Sequence, residues 1–163
     1  CRQSIETGRI TMPTRTTSIQ ETLDNIKYVA WHDIKHLDTD NDDTTNAVMM
    51  HMSAREDMLN YVGSGHAGAI YTLAETAAGV KADSLAQSMD AFILLRGADV
   101  KYTQRALGDL AARGFVSARR KEIARQLFSE SSRADFSVEV DITDHKDQSV
   151  FHGTFNYALR PRK

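Results

Sequence analysis

Residues 66–82, HAGAIYTLAETAAGVKA, constrain this chain more than any other segment. Ala67, Ile70, Leu73, Ala74, Ala77 and Ala78 recur at helical spacing, and Ala and Gly cover most of the remaining surface. A helix that is small or apolar on nearly every side has to be enclosed by the rest of the fold. It follows directly on a polar, glycine-rich turn, Asn60-Tyr-Val-Gly63-Ser-Gly65. Turn and helix start together offer free backbone N–H groups and a positive dipole end, a setting suited to an oxyanion. Two turns into the helix stands Glu75, a lone acid among apolar neighbours. An unpaired charge is costly to bury, so a carboxylate there points to chemistry rather than packing.

The flanking segments say what encloses the helix. Ser18-Ile-Gln-Glu21 fits a capping box and opens a short helix to about Lys27. Residues 28–37 are rich in β-formers and predict a strand, residues 47–53 a second, and the polar run 38–46 a hairpin turn between them. Asp83-Ser84 predicts the end of the central helix, with a further short helical piece to Asp90. Ala98, Val100 and Tyr102 then alternate with polar residues, 110–120 reads as a strand, and 121–130 as a short amphipathic helix. Phe136, Val138, Val140 and Ile142 alternate cleanly with polar partners, and after a turn at 143–148 the chain returns from Val150 to Leu159. Such alternation belongs to antiparallel strands with one wet face. The order predicts an α+β fold, one antiparallel sheet wrapped around a central helix. A sheet of this kind has edges to protect, which favours a dimer.

Bulk properties narrow the function. The 163 residues fit one domain, expected over 18–163, with 1–17 as a poorly ordered lead-in. Cys1 in place of an initiator Met reads as a fragment or processed form, with Met12-Pro13 as a candidate natural start. The basic, hydroxyl-rich lead-in leaves a transit-peptide remnant open, so the expected location is cytoplasmic, with an organellar matrix as the alternative. A single cysteine excludes a disulfide framework. A net charge of −2 gives no reason to invoke nucleic acid, and no apolar run reaches bilayer-spanning length.

The turn-and-helix motif with this element order resembles the hot-dog-fold acyl-CoA thioesterases, in the branch of the phenylacetate-pathway thioesterase. Those proteins carry an Asn, a Gly, His-Gly-Gly and then an acid on the central helix. Here Asn60 precedes His66 by six positions and Glu75 follows it by nine. "GAIYTLAET", Val100-Lys-Tyr102, Asp141-Ile-Thr-Asp144 and the closing "GTFNYALRP" extend the similarity over roughly residues 28–160. Ala67 replaces the first Gly of His-Gly-Gly, Arg105 replaces a Pro, and Leu95 stands where some members carry a water-orienting Ser.

The resemblance implies hydrolysis of an acyl thioester to free acid and coenzyme A. Glu75 is the expected general base or nucleophile. Asn60 would bond the thioester oxygen or the water, His66 would hold the turn or cap the helix, and the N–H of Ala67 or Gly68 would polarise the carbonyl. Tyr102, Thr103 and Arg105 are the candidate contacts to coenzyme A, which enters as part of the substrate; no separate cofactor and no metal are expected. The resemblance further implies a homodimer, or a dimer of dimers, in which Glu75 of one copy faces Asn60 and the Ala67 and Gly68 amides of the other. The alternative is a non-catalytic acyl-CoA or lipid-binding module of the same fold, for which Glu75 would have no use. Gly63 and Gly65 are expected to adopt positive φ. The methionines Met49, Met50, Met52 and Met58 predict core, or the soft wall of an acyl tunnel. Asp38-Thr-Asp40-Asn-Asp42 lacks the Gly and Glu of a calcium loop.

Overall fold

The computed structural model describes residues 18–38 and 47–162. The lead-in at 1–17 and most of the predicted hairpin turn at 38–46 lie outside the described residues. Ser18 opens α1 (Ile19–Asn25) as the capping box predicts, its side chain accepting from the Glu21 N–H at 3.1 Å. A short α2 (Lys27–Trp31) follows, and then β1 (Lys35–Leu37), β2 (Ala47–Met52) and a single 3-10 turn at Glu56–Met58. The central α3 spans Ala67–Gln87, followed by β3 (Ala91–Tyr102) and β4 (Leu110–Phe115). The chain closes with α4 (Ala118–Ser131), β5 (Ala134–Thr143) and β6 (Ser149–Pro161).

All strand pairs are antiparallel, in one six-stranded sheet of order β1-β2-β4-β5-β6-β3. The sheet wraps α3, which packs on β2, β3, β4, β5 and β6. This is the hot-dog arrangement. Gly114 sets how closely helix and sheet meet, because a Cβ there would lie 2.7 Å from the Ala77 carbonyl oxygen. The core consists of Leu73, Ala74, Ala77 and Ala78 of α3 against Val138, Val140, Ile142, Phe155 and Tyr157 of the sheet.

The two edges of the sheet are treated differently. β1 is three residues long, and the Gln20 side chain occupies its free side, donating to the Ile34 carbonyl and accepting from the His36 N–H. β3 is twelve residues long, pairs only with β6 among the described strands, and leaves Leu94 and Leu95 exposed. A long apolar edge is the kind that natural sheets cover.

Several sequence expectations are corrected. Residues 28–37 do not form one strand: the first part is α2, where His32 Nδ1 closes on the Tyr28 carbonyl, and only Lys35–Leu37 is extended. β-propensity yields here to packing, with Trp31 lying against the Arg55 guanidinium. The central helix does not stop at Asp83-Ser84, because Leu85 and Ala86 keep its buried face intact to Gln87. The strand predicted over 110–120 ends at Phe115, since Ser117 caps α4 by accepting from the Arg120 N–H. Gly63 has positive φ as expected, but Gly65 does not; its N–H pairs with the Ala106 carbonyl instead.

Candidate active site

α3 is buried on every side but one. Its half-exposed positions inside the helix are Tyr71, Glu75, Gly79, Val80 and Asp83, a stripe at four-residue spacing left open by the sheet. Glu75 sits in the middle of that stripe. Tyr157, almost wholly buried on β6, donates its hydroxyl to Glu75 Oε1 at 3.4 Å. Burial raises the Glu75 pKa above the ordinary glutamate value, and the Tyr157 hydrogen bond partly offsets the shift. Burial and the neighbouring carboxylate push the Tyr157 phenol up, so it remains a donor at any working pH. A half-desolvated carboxylate with one long hydrogen bond to it suits a general base or an oxygen nucleophile.

Asn60 and His66 organise the turn that delivers the chain into α3. The Asn60 side chain accepts from the backbone N–H groups of Val62 and Ser64 and donates to Ser64 Oγ at 2.9 Å. It is spent on the turn. His66 is the N-cap of α3, and its Nδ1 accepts from the Gly68 N–H at 3.0 Å. The Gly68 amide is therefore occupied, and Ala67, the first helical residue, is the nominated amide left open. His66, Ala67 and Gly68 are exposed, beside a fully exposed Tyr61.

The three candidate coenzyme A contacts lie around this turn to different degrees. Tyr102 donates its hydroxyl to the Ala67 carbonyl at 3.1 Å, and Arg105 donates to the Val62 carbonyl at 2.6 Å. Thr103 turns toward the β5–β6 hairpin instead, donating to the Ser149 carbonyl. Within one copy, Glu75 and the Ala67 amide do not converge. They are separated by two turns of helix, about 12 Å at 1.5 Å per residue.

Tyr157 is the site residue that sequence reasoning missed. The signal was present: Phe155, Tyr157 and Leu159 share the inward row of β6, and a phenol in such a row needs a partner. Tyr157 also lies opposite Leu95 of β3, so a hydroxyl reaches this neighbourhood from the adjacent strand. The methionines do not line the cleft beside Glu75. Met50, Met52 and Met58 are core, and the cleft beside Glu75 is lined by Ile, Leu and Val side chains together with Thr22, Thr76 and the polar residues at its far end.

Comparisons agree with this architecture. Residues 34–159 match the family model described as a domain of unknown function, DUF4442, and the chain belongs to that family. No curated protein matches the sequence. A probable thioesterase of unknown function from Pseudomonas aeruginosa superposes with a TM-score of 0.76 at 21% identity, over 88% of this chain and 94% of that one. The PaaI protein of the E. coli phenylacetic acid degradation operon gives 0.62 at 14% identity, over 83% and 86%. A hypothetical thioesterase solved with coenzyme A from Streptococcus pneumoniae gives 0.56 at 17% identity, over 80% and 88%. The fold is thus the hot-dog fold of thioesterase-like proteins, as the sequence motif implies.

Proposed function

We propose that this protein is an acyl-CoA thioesterase that works as a homodimer. The observation that carries the reading is Glu75: a half-buried carboxylate within reach of the Tyr157 hydroxyl, on the one uncovered stripe of an otherwise enclosed helix. As base, Glu75 takes a proton from water while the resulting hydroxide attacks the thioester carbonyl carbon. The Ala67 N–H stabilises the oxyanion that forms. The C–S bond then breaks, and the coenzyme A thiolate leaves with the proton returned by Glu75. As nucleophile, the same carboxylate would form an anhydride that water opens.

Because Glu75 and the Ala67 amide lie about 12 Å apart along one helix, a single copy cannot hold both against one carbonyl group. A two-fold pair solves this by setting Glu75 of one copy against the α3 N-terminus of the other. The exposed β3 edge supports such a pairing, since two copies joined there form one continuous sheet. Arg105 and Tyr102 stand at the rim of the same turn, where a basic side chain suits the phosphates of coenzyme A. Coenzyme A bound to the streptococcal neighbour lends weight to a coenzyme A thioester as substrate.

The test is a thiol-release assay on the purified protein over a panel of acyl-CoA thioesters. Release of free coenzyme A from at least one of them is expected. Binding of acyl-CoA without any thiol release would identify a binding module instead.

A further inference from the structure

Past Glu75, the open stripe of α3 becomes the floor of a cleft of about 390 Å³, within the size range of small-molecule sites. Ile19, Leu23 and Ile26 of α1 and the adjoining loop form its roof, and Val29, Val80 and Ile93 complete an apolar wall. Glu75 marks one end, while Asp83, Ser84 and Gln87 mark the other, which opens to solvent. α1 is anchored to α2, and through Gln20 to the edge of β1, so it stands off α3 and leaves the space between them unfilled.

Gly79 leaves room in the cleft directly beside Glu75. A glycine inside a helix is worth about 1 kcal/mol less than alanine. A Cβ at this position would lie in contact with both site groups, 3.7 Å from Glu75 Oε1 and 3.6 Å from the Tyr157 hydroxyl.

We propose that this cleft receives the acyl chain, and that the substrates are thioesters of linear, monocarboxylic aliphatic acids of medium length. The inference rests on the thioesterase reading, because it places the thioester at Glu75. From Glu75 to Asp83 the floor, with Thr76, Gly79 and Val80 between them under the apolar roof, runs about 12 Å at 1.5 Å per residue. An extended alkyl chain advances about 1.3 Å per carbon with single bonds near 1.5 Å, so about eight to ten carbons fill it. A short acyl group leaves most of the apolar wall wet. An aryl group fills only the end next to Glu75. A chain ending in a second carboxylate meets Asp83, so the far end selects against it.

Calorimetry on the Glu75→Gln protein, with acetyl-, butyryl-, hexanoyl-, octanoyl-, decanoyl-, dodecanoyl-, tetradecanoyl- and phenylacetyl-CoA, tests the proposal apart from turnover. Affinity should rise about fourfold per added methylene, which is about 0.8 kcal/mol per buried CH₂, and level off near decanoyl. Val80→Phe, halfway along the floor, should cut the decanoyl-to-butyryl affinity ratio at least tenfold. Ile26→Asp places a charge on the half-exposed rim of the roof and should do the same if the Phe variant fails to fold. Affinity independent of chain length, or phenylacetyl-CoA bound more tightly than decanoyl-CoA, overturns the cleft assignment. Graded binding without thiol release from the wild type overturns the thioesterase reading and leaves the cleft standing.

Discussion

At the scale of single residues, the motif divides into groups that hold the site and groups that face the substrate. Asn60 belongs to the first kind, since its carbonyl oxygen accepts two backbone N–H groups and its amide reaches Ser64. Asn60→Asp keeps both accepted bonds, and Ser64 can then donate in place of the amide. That variant should therefore retain activity within about threefold, while Asn60→Ala should lower the melting temperature through loss of the turn bonds, each worth about 1 kcal/mol. A collapse of turnover in Asn60→Asp, read by thiol release, would mean that its N–H₂ group touches substrate. Glu75 is proposed to be of the second kind, and its burial has a thermodynamic signature. Its folded pKa lies above the usual 4.5, so between the two values the native state binds more protons than the unfolded chain. Its contribution to stability is thus present at low pH and lost as pH rises through that window. Glu75→Gln should raise the melting temperature at neutral pH, with the gain vanishing below about pH 4.

At the scale of elements, helix and strand identities were legible wherever the local pattern and the packing agree. The alternation of β5 and β6 and the small-residue face of α3 appear in the structure as read. The errors fall where a tertiary partner decides. Residues 28–31 carry strand formers, yet the His32 bond to the Tyr28 carbonyl and the Arg55–Trp31 stack hold them helical. Ser117 was the readable signal for the start of α4, but a continuing run toward Arg120 masked it. Glu75 could be found in the sequence because a lone acid breaks an apolar helix. Tyr157 could be read as an inward phenol needing a partner, but not which partner, because Glu75 lies 82 positions away in the chain. Gly114 shows how little room the helix–sheet contact leaves. Gly114→Ala should destabilise the protein by about 1–3 kcal/mol, a drop of about 2–4 °C per kcal/mol in a melting curve. An unchanged melting temperature would mean that α3 can shift freely on the sheet.

At the scale of the molecule, the proposed reaction asks for two copies. The carboxylate and the open amide lie two helical turns apart, and β3 offers a long exposed edge opposite the short, capped β1. Light scattering at micromolar concentration should give twice the mass of a single chain; a stable monomer would leave the β3 edge unexplained. The sharing of a site can be tested by mixing subunits. Proline is tolerated at the first position of a helix and removes only the backbone N–H, so Ala67→Pro deletes the proposed oxyanion donor while keeping α3. Glu75→Gln and Ala67→Pro should each lower turnover, by about 10²–10⁴-fold for the base and about 10²–10³-fold for the donor. Unfolded together and refolded as a mixture, they should recover up to about a quarter of wild-type thiol release, since half of the dimers are mixed and each mixed dimer has one intact site. Activity that stays at the level of the separate variants would contradict a site built from Glu75 of one copy and Ala67 of the other.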